Sequence, residues 1–235
     1  MCPHPGLVAI VAVLSACGSP APAQPLAPIT WERPIPIATG GGERGPWQQN
    51  ESRYDHVDDP SVVFAASGAT VVAWVDHRHK DVLVQRYGRE GRPLGPRAVN
   101  VSRTPDVFSW LPRLVVSPVH ASDLYVIWQE IIFSGGSHGG DILVARSLDG
   151  GATFESPRNL SRSIGGDGKG RIDRDTWHNG SLDLTIGPDG TLYAAWTEYD
   201  GPLWFTRSQD RGATFEPPRQ VTGDARRPAR APALV

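Results

Sequence analysis

The stretch Ser147-Leu148-Asp149-Gly150-Gly151-Ala152-Thr153-Phe154 returns almost unchanged as Ser208-Gln209-Asp210-Arg211-Gly212-Ala213-Thr214-Phe215. Both fit S-x-D-x-G-x-T-F, which reads as a hairpin turn. Gly151 and Gly212 can supply the positive φ that a tight turn needs. Asp149 and Asp210 can accept hydrogen bonds from turn amides, and the hydroxyls of Ser147, Ser208, Thr153 and Thr214 can close the loop. Phe154 and Phe215 are left to pack against a sheet. All of these are structural residues, and neither aspartate is a catalytic candidate.

Outward from the two turns, a longer repeat can be laid out. A strand ending in Trp-x-acid occurs at Val71 to Asp76, Leu124 to Glu130 and Leu192 to Glu198, with Trp74, Trp128 and Trp196 in register. A strand leading into the turn follows at Val82 to Arg86, Ile142 to Arg146 and Leu203 to Arg207. A last strand starts with Pro-Arg at 96, 157 and 218, and an apolar strand opens each unit at Ser61 to Ala65, Leu114 to Ser117 and Leu182 to Ile186. Four short antiparallel strands separated by turn residues make one propeller blade. The tryptophans alternate with Val and Ile on one strand face, which assigns them to the core between blades.

The two turns resemble the Asp box of the sialidase (bacterial neuraminidase repeat) superfamily of β-propellers. The resemblance implies an all-β fold, a propeller of four-stranded antiparallel blades, six when complete. About three are expected here, at 58–102, 110–161 and 179–222, and the first has a degenerate box at Tyr87 to Arg92. Residues 229–235 look like the start of a fourth. Thr30-Trp31-Glu32-Arg33-Pro34 aligns with the stretches from Thr153 and Thr214, so 30–38 is expected to be an outer strand that latches the ring. Six blades of this size would exceed the 235 residues, and the expectation is an amino-terminal half with open, sticky edges.

The first residues read as an address. Leu7 to Leu14 is an apolar run of the length of a secretory h-region, ending in Leu14-Ser15-Ala16-Cys17. That tetrapeptide resembles the bacterial lipoprotein signal. It implies a signal peptide at 1–16, lipid attachment at Cys17, and export to the periplasmic or cell-surface side of a bacterial membrane, held there by several acyl chains. Pro20, Pro22, Pro25 and Pro28 make 17–29 an extended tether, and 30–235 is the propeller segment.

Composition agrees. The 26 glycines and 22 prolines are about a fifth of the chain, against roughly 12% in average usage, and neither tolerates a helix interior. A net charge of -2 with interspersed signs gives no footprint for nucleic acid. Both cysteines, Cys2 and Cys17, precede the folded part, so no disulfide staples it.

In a propeller the loops between second and third strands, and the connections between blades, share the face opposite the boxes; in sialidases that face holds the active site. Here it collects Asp76, Arg78, Arg113, Glu130, Trp177, His178, Glu198 and Tyr199, the acids, cations and rings a glycan site uses. Asp81 falls near the position of the sialidase acid/base aspartate. Where those enzymes open blade one with Phe-Arg-Ile-Pro, this chain has Val57-Asp58-Asp59-Pro60, with a carboxylate in place of the substrate-binding Arg. The family's Tyr nucleophile and its Glu partner belong to later blades.

No cofactor or metal is expected; Asp167, Asp173 and Asp175 match no ordered calcium-loop spacing. The expected function is a surface-anchored, sialidase-like propeller that binds a glycan or a protein, with self-association through its open edges. The alternative is an exo-sialidase-type glycoside hydrolase of which this is the amino-terminal half.

Overall fold

The computed structural model describes residues 30–31, 33–38, 57–76, 79–104, 107–134, 137–161, 181–198, 201–224, 226–229 and 231–235. The signal, the tether, Arg78, Asp167, Asp173, Asp175, Trp177, His178 and Tyr199 lie outside them. Among the described residues there are strands and no helix: β1 (Val57–Phe64), β2 (Thr70–Asp76), β3 (Asp81–Tyr87), β4 (Val99–Asn100), β5 (Phe108–Val116), β6 (Leu124–Ser134), β7 (Ser137–Ser147), β8 (Arg158–Asn159), β9 (Leu182–Ile186), β10 (Leu192–Thr197), β11 (Leu203–Ser208) and β12 (Arg219–Thr222). They form three four-stranded sheets whose strands lie in chain order, every neighbouring pair antiparallel. The chain thus holds three blades of an all-β propeller.

Each middle strand is apolar at nearly every position because neighbours cover both of its faces. One core lies between blades one and two, where Val71, Ala73 and Val84 meet Leu124, Val126 and Trp128. A second lies between blades two and three, where Tyr125, Ile127 and Val144 meet Leu184, Leu192, Ala194 and Trp196. Successive residues of β6 therefore serve opposite cores. The tryptophan of each blade faces the blade before it: Trp128 and Trp196 are buried there, and cutting such a side chain to Ala costs about 3–5 kcal/mol. Trp74, the blade-one equivalent, packs with Val72, Tyr87 and Ala98 around Ala38.

The S-x-D-x-G-x-T-F turns are built as their residues dictate. In blade two Ser147 Oγ donates to Asp149 Oδ1 at 2.7 Å and accepts from the Gly151 amide at 2.8 Å. Asp149 also accepts from the Thr153 amide at 2.9 Å and the Thr153 hydroxyl at 2.6 Å. Blade three repeats this with Ser208, Asp210, Gly212 and Thr214. Gly151 and Gly212 sit at φ 87° and 74°. Phe154 is buried between blades one and two, and Phe215 packs against the second core.

Two expectations need revision. The stretch from Glu130 to Asp141, expected as a loop, continues the β6–β7 hairpin with unbroken register from Glu130↔Asp141 to Ser134↔Ser137. Ile131, Ile132 and Phe133 have the β-branched and aromatic character that extends a strand. The described residues of 30–38 belong to no strand; Ile35, Pro36 and Ile37 line a groove with Trp74, Tyr87 and Ala98, on the side of blade one away from blade two.

Candidate functional site

The first strands bring the blades together, β5 approaching β1 on one side and β9 on the other. Their amino-terminal ends share a face with the second-to-third-strand hairpins, since Val57 pairs with Asp76 and Asp76 with Asp81. In a propeller that end of the first strands opens onto the central channel.

Most acids nominated from the sequence on this face belong to the repeat. Asp81 Oδ1 accepts from the Ser102 hydroxyl at 3.1 Å, and Ser102 Oγ contacts Asn100 Oδ1 and takes the Val82 amide. Blade two has the same arrangement: Ser161 Oγ with Asp141, with Asn159 and with the Ile142 amide. Asp81 and Asp141 are equivalent residues tying the third strand to the chain that leaves the fourth. Asp76, Glu130 and Glu198 are likewise the acids of the three Trp-x-acid strands. Glu130 is buried, and its Oε1 accepts from the Thr104 hydroxyl at 2.6 Å and the Trp128 indole at 3.3 Å. Burial raises the Glu130 carboxyl above the usual carboxylate range against those two hydrogen bonds, and the charges of Asp141 and Asp81 push the same way. Asp76 Oδ2 lies 2.8 Å from His79 Nδ1 in an exposed turn.

The inner strands differ from blade to blade. Ser61, Arg113 and Asp183 are equivalent by register, each opposite the residue that precedes its blade's tryptophan, namely Ala73, Ile127 and Ala195. One position thus holds a hydroxyl, a guanidinium and a carboxylate. Ser61 Oγ accepts the Leu114 amide of the next blade at 3.0 Å, and Asp183 Oδ2 accepts the Leu234 amide at 2.7 Å in the same manner. Arg113, Ser181 and Asp183 line a cavity of about 380 Å³ with Leu111, Leu182, Ala231 and Pro232.

A second repeated device shapes this mouth. Asp59, Leu111 and Ala231 have positive φ, at 48°, 55° and 49°, and each precedes a proline: Pro60, Pro112 and Pro232. In β1 and β5 the ladder breaks there, between Asp58 and Ser61 and between Trp110 and Arg113. Residues 231–235 thus lie beside β9 as β5 lies beside β1, and pairing a second copy's first strand with that place requires them to move.

Asp59 is the residue that sequence reasoning undervalued. Burial, then the neighbouring Asp58 charge, raises its pKa to about 6, while Trp110, the Arg113 charge and the Leu111 amide pull the other way. The signal available in the sequence was its place before Pro60, matching Leu111-Pro112, where the repeat asks for no acid.

No family model matches the sequence, and no curated protein does. Solved structures do. A GH43 β-1,3-galactosidase, solved with galactodeoxynojirimycin, matches with TM-score 0.50 at 12% identity over 80% of this chain and 67% of that one. The catalytic domain of a GH62 α-L-arabinofuranosidase from Coprinopsis cinerea matches with TM-score 0.41 at 14% identity over 80% of this chain and 57% of that one. An exo-β-1,3-galactanase from Clostridium thermocellum matches with TM-score 0.44 at 9% identity over 77% of this chain and 40% of that one. The chain therefore spans roughly half of these propellers, and at such identities the likeness is one of fold. These neighbours are glycoside hydrolase propellers and not sialidases, so the sialidase likeness rests on the two turns.

Proposed function

We propose that this chain is a surface-anchored, sialidase-like propeller segment that binds a carbohydrate at the channel mouth. The observation that carries the reading is the single inner-strand position filled by Ser61, Arg113 and Asp183, two of which line one cavity. A repeat needs no chemical variety at a position that only builds the repeat. The Arg113 cation, the Asp183 carboxylate and the Ser181 hydroxyl around one recess suit the hydroxyls of a sugar. The galactosidase neighbour, solved with a sugar mimic, supports the ligand class. Trp177, His178 and Tyr199 remain candidates to complete the mouth.

The test is binding of the full chain to a glycan array that includes sialylated and asialo forms, followed by calorimetry on the best ligand. Arg113→Ala is expected to weaken binding at least tenfold with an unchanged melting temperature; unchanged affinity overturns the reading. Anchoring rests on Cys17, and Cys17→Ser is expected to move the protein from the detergent phase to the aqueous phase in phase partitioning.

A further inference from the structure

We propose that a second copy of this chain docks on blade one with the outer face of its blade three, and that two copies close a ring by making this contact twice.

Equivalent positions differ in burial at the two ends of the row of blades. By register Val62 and Phe64 of β1 correspond to Leu114 and Val116 of β5. Leu114 and Val116 pack in the core between blades one and two, whereas Val62 and Phe64 are 51% and 76% exposed. The far end mirrors this. Val101 and Leu160, just past the fourth strands of blades one and two, are buried in the two cores, and Val221 in the same place of blade three is 58% exposed. Tyr125 and Val144 of blade two are buried against blade three. Their counterparts Tyr193 and Phe205 are half-buried, with rings 6.1 Å apart and the Arg219 guanidinium 5.2 Å from the Phe205 ring. The exposed apolar side chains are thus those that the repeat buries wherever a neighbouring blade is present. The surface that covers such a face inside the chain is the outer face of a preceding blade, and blade three carries that face with the same pattern.

Two short segments of the chain hold these places. Gly151 and Gly212 lie against Val71 and Tyr125, equivalent residues on the middle strand of the preceding blade. In the degenerate turn of blade one, Gly91 lies against Ile35 instead. Ile37 aligns with Leu160 and Val221, and it lines the groove beside Trp74 as Leu160 shares a core with Trp196. Beside blade three, the Leu234 amide sits on Asp183 as the Leu114 amide sits on Ser61. Each segment supplies one strand where a blade supplies four. Docking exchanges them: Tyr193 and Val221 of the second copy replace Ile35 and Ile37, and its Val62 amide replaces that of Leu234. Charge agrees with this register. Arg146 reaches the carbonyl of Arg211 in the next turn, so the equivalent Arg207 faces the second copy's Glu90, which holds the place of Arg211. The contact joins unlike faces, and such contacts form a ring when the rotation closes. Three blades and three make the six that the Asp-box turns imply.

The test is sedimentation and light scattering over a dilution series of the full chain carrying Cys17→Ser, so that no lipid joins copies. A reversible equilibrium between one chain and two is expected. Phe64→Asp and Val221→Asp should each weaken the dimer by about 10² or more, because each buries an unpaired charge in the contact. Their melting temperatures as single chains should match the parent, since both side chains are exposed there. An equal mixture of the two variants should pair again, because one of its two contacts then carries neither charge. Ile35→Ser combined with Ile37→Ser should tighten the dimer about tenfold by releasing the face. Single chains at every concentration, an open series of copies, a dimer that either Asp variant leaves intact, or a mixture that stays unpaired overturns the proposal. A weaker dimer in the Ile35, Ile37 double variant overturns the exchange.

Discussion

Arg211 donates two hydrogen bonds, from Nε and Nη2, to the fully buried carboxylate of Asp123, each at 2.7 Å. Arg211 sits at φ 59° inside the blade-three turn, and Asp123 precedes the middle strand of blade two. Tyr125 adds its hydroxyl to the same carboxylate at 3.3 Å, and the Arg211 carbonyl accepts from Arg146 Nη1 at 3.0 Å. The turn that closes one hairpin is thereby clasped to the neighbouring blade. Removing the guanidinium strands a buried charge, whereas removing both partners does not.

Arg211→Ala is accordingly expected to cost about 2–3 kcal/mol, below the usual range for a broken buried pair because the guanidinium is half exposed. Asp123→Ala combined with Arg211→Ala should cost less than Arg211→Ala alone. Urea midpoints of the three variants check this, and a double variant worse than the single one refutes it. Burial pushes the Asp123 carboxyl up, but the Arg211 hydrogen bonds and charge win and hold it below the usual range. Its contribution is thus complete above the ordinary aspartate pKa and lost as pH falls through the lowered one.

The turn aspartates predict acid sensitivity. Hydrogen bonds from the Thr214 hydroxyl and amide hold the Asp210 pKa down to about 2, and Asp149 is lowered by the equivalent set against burial. A lowered carboxylate pKa gives stability that is present above about pH 4 and is lost as pH drops towards 2. Asp210→Ala should cost about 1–2 kcal/mol at pH 7 by removing the hydrogen bonds that its carboxylate accepts from Thr214 and Ser208. The gap to wild type should narrow in denaturation curves taken near pH 2.

Asp59 has the opposite sign. Its raised pKa means that folding favours the protonated form, so the associated stability is present below about pH 4 and is lost as pH rises through about 6. Asp59→Asn should therefore melt about 2–4 °C above wild type at pH 7.5 and level with it at pH 4. A variant that is less stable at pH 7.5 would show that the carboxylate serves the fold.

Asp81 and Asp141 should behave as twins. Each holds a serine hydroxyl that also takes a third-strand amide, so Asp81→Asn and Asp141→Asn should each cost about 1 kcal/mol. Neither should move the pH profile of any turnover. A selective effect of Asp81→Asn on leaving-group dependence would return it to the role that its place in the sequence suggested.

The sequence by itself determined the three blades, the turns and the tryptophan register, because each depends on residues close along the chain. Glycine's freedom at φ 74° to 87°, an aspartate reaching a threonine four residues on, and an apolar run in a middle strand are local matters. It also put the starts of the first strands and the second-to-third-strand hairpins on one face. Which acid on that face is chemically distinctive was decided only by the tertiary structure. Asp81 is engaged by Ser102, 21 residues away, and Glu130 by Thr104, 26 residues away. Asp59 owes its setting to Trp110, Leu111 and Arg113 of the next blade. Burial and the field of distant neighbours set a carboxyl's proton affinity, and those exist only once the blades have packed.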